Sequence, residues 1–183
     1  MEIPLQLALI YGSVRPQRVC DTVARWAETE IARDPAFRVE VIDPRPAWPE
    51  LYADGFRASI EAADAVLIVT PEYNHSFPGP LKVLIDCAGE EWAAKPVAFI
   101  SYGAASGGLR AVEHLRAVFA ELHAVATRDG VAFHNVWESF GPNGRPADEF
   151  RPARAMRKML AQLAWWGYAL RNARETQAYG EAA

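Results

Sequence analysis

The sequence is poor in cysteine, has no excess of basic residues and contains no long apolar run. Its 183 residues include two cysteines, Cys20 and Cys87, which form no CxxC pair, so the sequence predicts neither a zinc site nor a disulfide framework. A formal net charge of −4 gives no basic surface of the kind that nucleic-acid binding usually needs. No apolar run approaches the roughly 18 residues of a membrane span. We therefore expect a cytoplasmic protein with no nucleic-acid or membrane partner.

Several short motifs of nucleotide and phosphate chemistry are also absent. The chain has no GxxxxGK[ST] sequence, which excludes a P-loop, and its glycines at 103, 107 and 108 do not form GxGxxG, which argues against a dinucleotide-binding Rossmann site. A phosphatase CxxxxxR loop would need arginine six positions after its cysteine, but Trp26 stands at that distance from Cys20. Paired carboxylates, a catalytic triad and a metal-ligand cluster of recognisable spacing are missing as well. The sequence predicts no catalytic side chain and no metal site.

The chain does contain a regular alternation of apolar runs and helical segments. Apolar runs predict strands at residues 5–11, 38–42, 65–69 and 97–101, and a fifth strand is expected within 124–136. Helical segments are expected at residues 19–32, 56–62, 80–88, 108–122 and 153–171. This order predicts an α/β fold, with one domain over residues 1–183 built on a parallel sheet. The apolar stripe of residues 108–122 is either core or a subunit interface.

Three of the predicted strands end in polar loops that contain glycine, and open α/β sheets bind ligands at that edge. The first loop, residues 12–18, precedes the first helix. Ser13, Arg15 and Arg18 place hydroxyl and guanidinium donors beside the amino end of this helix, where unpaired N–H groups favour an anion. The loop predicts a site for a phosphate monoester. Alternatively, Ser13 only caps the helix and the arginines are solvated.

The second loop, residues 70–82, is stiffened by three prolines. Its backbone can therefore hold N–H and C=O groups toward the polar edge of a flat heterocycle such as flavin. Tyr73 offers a ring for stacking, and Asn74 and Ser76 offer polar partners. Alternatively, Tyr73 is a core residue and Asn74 closes a turn. For Glu72 and His75, the sequence leaves open whether the side chain contacts a ligand or instead contacts backbone or solvent.

The third loop, residues 102–108, has three glycines that let the backbone approach a ring closely. Tyr102 could cover that ring; alternatively, the glycines only serve the turn. A further segment, residues 44–52, contains three prolines together with Trp48 and Tyr52. It predicts a stiff loop that either flanks the site or packs on the sheet edge.

The motifs GSVR, PEYNHSFPGPLK and SYGAASGGLR follow the first, third and fourth strands in this order. Over roughly residues 5–131 the chain resembles the NADPH-dependent FMN reductase family. The resemblance implies a flavodoxin-like three-layer sandwich with a five-stranded parallel sheet, an FMN cofactor, and a homodimer or homotetramer. Many members have a second serine where this chain has Arg18, and an asparagine where it has Val83. The FMN-binding residues that the resemblance implies are Ser13, Arg15, Gln17, Arg18, Val19, Pro71, Glu72, Tyr73, Asn74, Ser76, Tyr102 and Gly103.

The resemblance predicts an NAD(P)H-dependent FMN reductase. Such an enzyme transfers hydride from NADPH or NADH to flavin N5, and then on to flavin or another small-molecule acceptor. One alternative is an oxidoreductase that keeps FMN tightly bound and reduces quinones, azo dyes or chromate. Two others are an electron carrier of the flavodoxin kind, which binds FMN but reacts with protein partners, and a binding domain with a degenerate site. In an enzyme of this kind the redox chemistry belongs to the cofactor, so no protein nucleophile is needed.

Overall fold

The computed structural model describes residues 3–47 and 53–180. Six strands form one parallel sheet in the order β2-β1-β3-β4-β5, with β6 also paired to β4. The strands are β1 (Leu5–Tyr11), β2 (Phe37–Ile42), β3 (Ala65–Pro71), β4 (Pro96–Tyr102), β5 (Val125–Ala126) and β6 (Val131–Phe133). The helices are α1 (Cys20–Ile31), α2 (Ala53–Ala62), α3 (Gly79–Ile85), α4 (Leu109–Glu121), α5 (Val136–Ser139) and α6 (Phe150–Thr176). This is a flavodoxin-like α/β fold, as predicted.

The fifth strand position is divided between two short strands. β5 pairs with the amino end of β4 and β6 with its carboxyl end, so the single strand expected within residues 124–136 is interrupted. The carbonyls of Thr127 and Arg128 accept hydrogen bonds from the Arg116 guanidinium, at 2.7 and 3.1 Å. Since Arg116 satisfies these carbonyls from α4, the segment between β5 and β6 can leave the ladder without burying unpaired backbone groups.

Each face of the sheet carries its own hydrophobic core, because successive strand residues point to opposite faces. On one face Leu5, Leu7 and Leu9 of β1 belong to a cluster that includes buried residues of α1 and α6. On the other face Ala8 and Ile10 belong to a cluster that includes buried residues of α2, α3 and α4. Helices therefore cover both faces, which completes the three layers.

Helices α1, α2, α3, α4 and α6 agree with the predicted segments apart from their ends, and α6 extends beyond the expected range on both sides, whereas the short helix α5 was not predicted. In α4, Val112, Leu115 and Phe119 are buried in the second cluster. This part of the apolar stripe is core, whereas Leu109 at the start of α4 is half-exposed. No helix among residues 3–47 and 53–180 is long and apolar enough to cross a membrane. Trp48 and Tyr52 lie outside the described residues.

Candidate functional site

A cavity of about 290 Å³ lies at the carboxyl ends of the central strands. The strand order reverses between β1 and β3, and ligands of open α/β sheets bind at such a switch point. Nine of the twelve predicted site residues line the cavity, and all three loops contribute to it. The lining consists of Arg15, Pro16, Gln17, Arg18, Val19, Pro71, Glu72, Tyr73, Tyr102, Gly103, Ala104, Val136 and Trp137.

Ser13 joins the first loop to the second. Its side chain is buried, and its Oγ lies 2.9 Å from the hydroxyl of Tyr73. The guanidinium carbon of Arg15 lies 3.6 Å from the centroid of the Tyr73 ring, which is a favourable cation–π distance. Tyr73 is thus held at its hydroxyl by one residue of the first loop and at one ring face by another.

Arg18 lines the cavity, but carboxylates hold most of its guanidinium. Its Nη1 and Nη2 donate to the two carboxylate oxygens of Asp43 at 2.8 and 2.6 Å, and its Nε donates to Asp21 at 2.8 Å. Nη1 also donates to the carbonyl of Ser13. The phosphate contact predicted for Arg18 stays a prediction; the contacts present fasten the first loop to the ends of β2 and α1.

The same ion pair shifts the titration of Asp43. Burial alone would raise the pKa of this carboxyl, but the hydrogen bonds from Arg18 and from the backbone N–H of Arg45 outweigh it and lower the pKa below its usual value. Asp43 therefore stays charged beside Arg18 near neutral pH. The first loop is consequently fixed by a charged network that the sequence motif alone does not show.

The second loop contains a tight turn from Tyr73 to Ser76. The backbone N–H groups of these two residues donate to each other's carbonyls, at 2.8 and 3.1 Å. Asn74 and His75 between them have φ angles of 51° and 70°, as in a type I′ turn. Asn74 and Ser76 lie beside the cavity but are not part of its lining, and Asn74 does occupy a turn position.

Two residues of α4 that no sequence motif indicated contact the second loop. Arg110 donates to Glu72 through its guanidinium at 2.7 Å and through its backbone N–H at 3.2 Å. His114 Nδ1 lies 2.9 Å from Ser76 Oγ. Burial raises the pKa of Glu72, but the hydrogen bonds from Arg110 and Ser106 outweigh it, so the pKa lies below its ordinary value. Glu72 is therefore an ionised anchor between the second loop and α4.

The third loop turns sharply above β4. Gly107 and Gly108 have φ angles of 61° and 84°, which glycine adopts readily. Ser101 Oγ donates to the carbonyl of Gly107 at 2.8 Å. Tyr102 is buried, and burial raises the pKa of its phenol above the usual value. Its ring therefore belongs to the floor of the cavity, and its hydroxyl stays protonated.

Val136 and Trp137 of α5 also line the cavity and were not selected from the sequence. They follow the end of β6 after two residues, so they lie at the same sheet edge as the three loops. A fifth strand predicted to end at Phe133 would have indicated both residues, because site residues follow the carboxyl ends of the strands. The strand was expected only within residues 124–136, so its end was not located. Among the described residues, no three His, Cys, Asp or Glu side chains are grouped so that they could hold a metal ion.

The family model described as "NADPH-dependent FMN reductase" matches residues 5–138 of the chain. The chain belongs to this family. The matched residues run from β1 to α5 and include every loop of the cavity. The family assignment therefore covers the whole candidate site, and the unmatched part contains α6.

Individual relatives agree with this assignment. The chain is 31% identical over 125 residues to an NAD(P)H-dependent FMN reductase of Schizosaccharomyces pombe, which covers 59% of the chain and 62% of that relative. It is 40% identical over 140 residues to a probable NADPH:quinone oxidoreductase of Oryza sativa, covering 66% and 68%. The solved structure of FerB, a flavoenzyme NAD(P)H:(acceptor) oxidoreductase from Paracoccus denitrificans, has a TM-score of 0.67 at 23% identity, covering 90% of this chain and 98% of FerB. The FerB likeness concerns the fold.

Proposed function

We propose that this protein is an NAD(P)H-dependent oxidoreductase that binds FMN in the cavity between β1, β3 and β4. The observation that carries the proposal is the meeting of three motif-bearing loops in one cavity at the switch point of the sheet. Membership of the NADPH-dependent FMN reductase family supports the same activity. NADPH or NADH would be the hydride donor, and a small molecule would be the electron acceptor.

The side chains around the cavity suit FMN. Arg15 brings a guanidinium to the loop before α1, where a phosphate is favoured. We propose Ser13, Arg15, Gln17, Arg18 and Val19 as the phosphate side of the site. The ring side would be formed by Pro71, Glu72, Tyr73, Asn74, Ser76, Tyr102 and Gly103. When bound, FMN accepts hydride and passes electrons on, so the protein's part is to bind and orient it and to leave one face open.

A second candidate is an FMN-retaining quinone reductase. The Oryza sativa relative, which is named a probable NADPH:quinone oxidoreductase, favours it. The two candidates differ in whether reduced flavin leaves the protein as product. Steady-state rates with added FMN and with a quinone separate them, because only a flavin reductase turns over with FMN as its terminal acceptor.

We predict that NADPH will reduce the protein after reconstitution with FMN. The measurement is an anaerobic titration followed by visible absorbance, and we expect rapid loss of the oxidised flavin band. A protein that binds FMN but stays oxidised would point to an electron carrier. A protein that takes up no FMN would contradict the proposed function and favour a binding domain with a degenerate site.

Arg15→Ala is expected to weaken FMN binding about tenfold to a hundredfold, because it removes a charge-assisted hydrogen bond to the phosphate. Riboflavin has no phosphate, so its affinity should change much less. Quenching of flavin fluorescence measures both affinities. Arg128→Ala is the control, since the side chain of Arg128 is 84% exposed and lies outside the cavity lining. Equal losses for FMN and riboflavin would contradict the phosphate contact and show that Arg15 acts on the ring side of the site through Tyr73.

We further propose a single domain that assembles as a cytoplasmic homodimer or homotetramer. The single domain is supported by the two cores, which share one sheet. The half-exposed side chains of Val83 on α3 and Leu109 on α4 support a subunit contact beside the site. The two unpaired cysteines fit a reducing compartment. Sedimentation velocity tests the assembly, and a monomer at all accessible concentrations would contradict it; recovery outside the cytoplasmic fraction would contradict the location.

A further inference from the structure

Trp137 is an exposed aromatic residue at the wall of the cavity. Its surface is 69% accessible although it belongs to the lining. Exposing so large an apolar ring to water is unfavourable. Its neighbour Val136 is 2% exposed and anchors the α5 turn in the core. Trp137 therefore places an exposed ring at the wall of the cavity on a buried support.

Hydrogen bonds fasten this turn to the third loop. The backbone N–H groups of Asn135 and Val136 donate to the carbonyls of Ala104 and Gly103, at 2.9 and 3.0 Å. His134 Nδ1 lies 2.7 Å from the carbonyl of Ala105. The backbone that carries Trp137 is thus hydrogen-bonded to the loop that lines the cavity. An aromatic wall on such a support suits a flat ligand, because the residue is already held in place and little conformational entropy is lost when the two rings stack.

We propose that Trp137 determines acceptor preference by stacking against a planar acceptor, such as the quinone of the second candidate function. This inference rests on the proposed function of the same cavity. The balanced reaction takes one hydride from NAD(P)H and one proton from solvent, reduces the quinone to its hydroquinone, and leaves NAD(P)⁺. Trp137 takes no part in the electron transfer. It holds the quinone by aromatic contact, which favours offset-stacked or edge-to-face rings.

The test compares two acceptors on the FMN-loaded protein, with NADPH as donor. 1,4-Naphthoquinone is flat and can stack, whereas ferricyanide has no ring. Trp137→Ala is expected to lower the ratio of kcat/KM for naphthoquinone to that for ferricyanide about tenfold, mainly through a higher quinone KM. Trp137→Phe keeps a ring and should restore most of this ratio. Trp165→Ala is the matched control, because Trp165 is 65% exposed on α6 and lies outside the cavity lining.

An unchanged acceptor ratio in Trp137→Ala would overturn the inference, as would an equal loss in Trp165→Ala. Trp137→Leu keeps apolar bulk without a ring, so it decides the matter should the alanine variant fail to fold. The failure of the proposed function is recognised separately. In that case the wild-type protein takes up no FMN, or NADPH does not reduce its bound flavin, and the inference falls with it.

Discussion

Arg18→Met should lower the free energy of unfolding by about 3 kcal/mol at pH 7, because it breaks a buried charge pair from one side. The Arg18 side chain is 1% exposed, and its partners Asp21 and Asp43 are 22% and 25% exposed. Methionine fills similar space but removes the Arg18 donors from Asp21, Asp43 and the Ser13 carbonyl, while Arg45 still donates to both carboxylates. The partial exposure of the carboxylates keeps the effect at the low end for such pairs. Urea unfolding measures it.

The effect of Arg18→Met should depend on pH. The pKa of Asp43 is lower in the folded protein than in the unfolded chain, where it is about 4. Such a group contributes stability above the unfolded pKa, and the contribution is lost as the pH falls through the folded value. The difference between wild type and variant is therefore largest near neutral pH and shrinks below about pH 4. A difference that stays constant from pH 7 to pH 3 would contradict this account.

Two comparisons test the role of Arg18. Arg145→Met is the stability control, because it removes an ion pair whose side chains are 71% and 66% exposed and should change the free energy of unfolding by less than about 1 kcal/mol.

Flavin affinity separates the structural role of Arg18 from direct phosphate binding. If Arg18 only fixes the first loop, Asp43→Asn, which weakens the same ion pair but keeps the guanidinium, should weaken FMN binding about as much as Arg18→Met does. A clearly larger FMN loss in Arg18→Met would show that the Arg18 guanidinium reaches the phosphate.

The fold and the location of the site could be predicted because both depend on local patterns. Buried parallel strands give continuous apolar runs, and polar loops at their carboxyl ends must share one edge of the sheet. The ion pair between Arg18 and Asp43 could not be predicted, since its members lie on different elements and nothing local joins them. Arg110 was missed for the same reason. The sequence places Arg110 on a predicted helix, but it does not show that Glu72 faces this residue.

The break between β5 and β6 shows the same limit. The polar segment Thr127-Arg128-Asp129-Gly130 has a composition that disfavours a strand, but the reason for the break lies elsewhere in the chain. The guanidinium of Arg116 on α4 donates to the Thr127 and Arg128 carbonyls. The side-chain oxygen of Gln162 on α6 accepts a hydrogen bond from the Asp129 N–H. Only the packed helices supply these groups. Trp137 was not predicted as a site residue because it follows the end of β6, and the position of that end depends on this interruption.

Gly108→Ala should lower the free energy of unfolding by about 3 kcal/mol or more and weaken FMN binding. Gly108 has a φ of 84°, and an added Cβ would lie 2.7 Å from both Ser101 Cβ and the Tyr102 backbone nitrogen. Alanine therefore meets backbone strain and a clash with β4 at once. Either the third loop or the end of β4 must move, and both line or support the cavity. Urea unfolding and flavin titration measure the two effects.

Gly144→Ala separates the clash at Gly108 from backbone strain alone. Gly144 has a φ of 72°, but nothing lies within 4 Å of an added Cβ, so its substitution should cost only about 1–2 kcal/mol. Gly144 also lies outside the cavity lining, so its substitution should leave flavin affinity as it is. If both variants lose the same free energy of unfolding, the close approach of the added Cβ to β4 does not contribute to the loss. If Gly108→Ala is destabilised yet binds FMN normally, the third loop does not shape the flavin site, and Tyr102 and Gly103 lose their proposed roles.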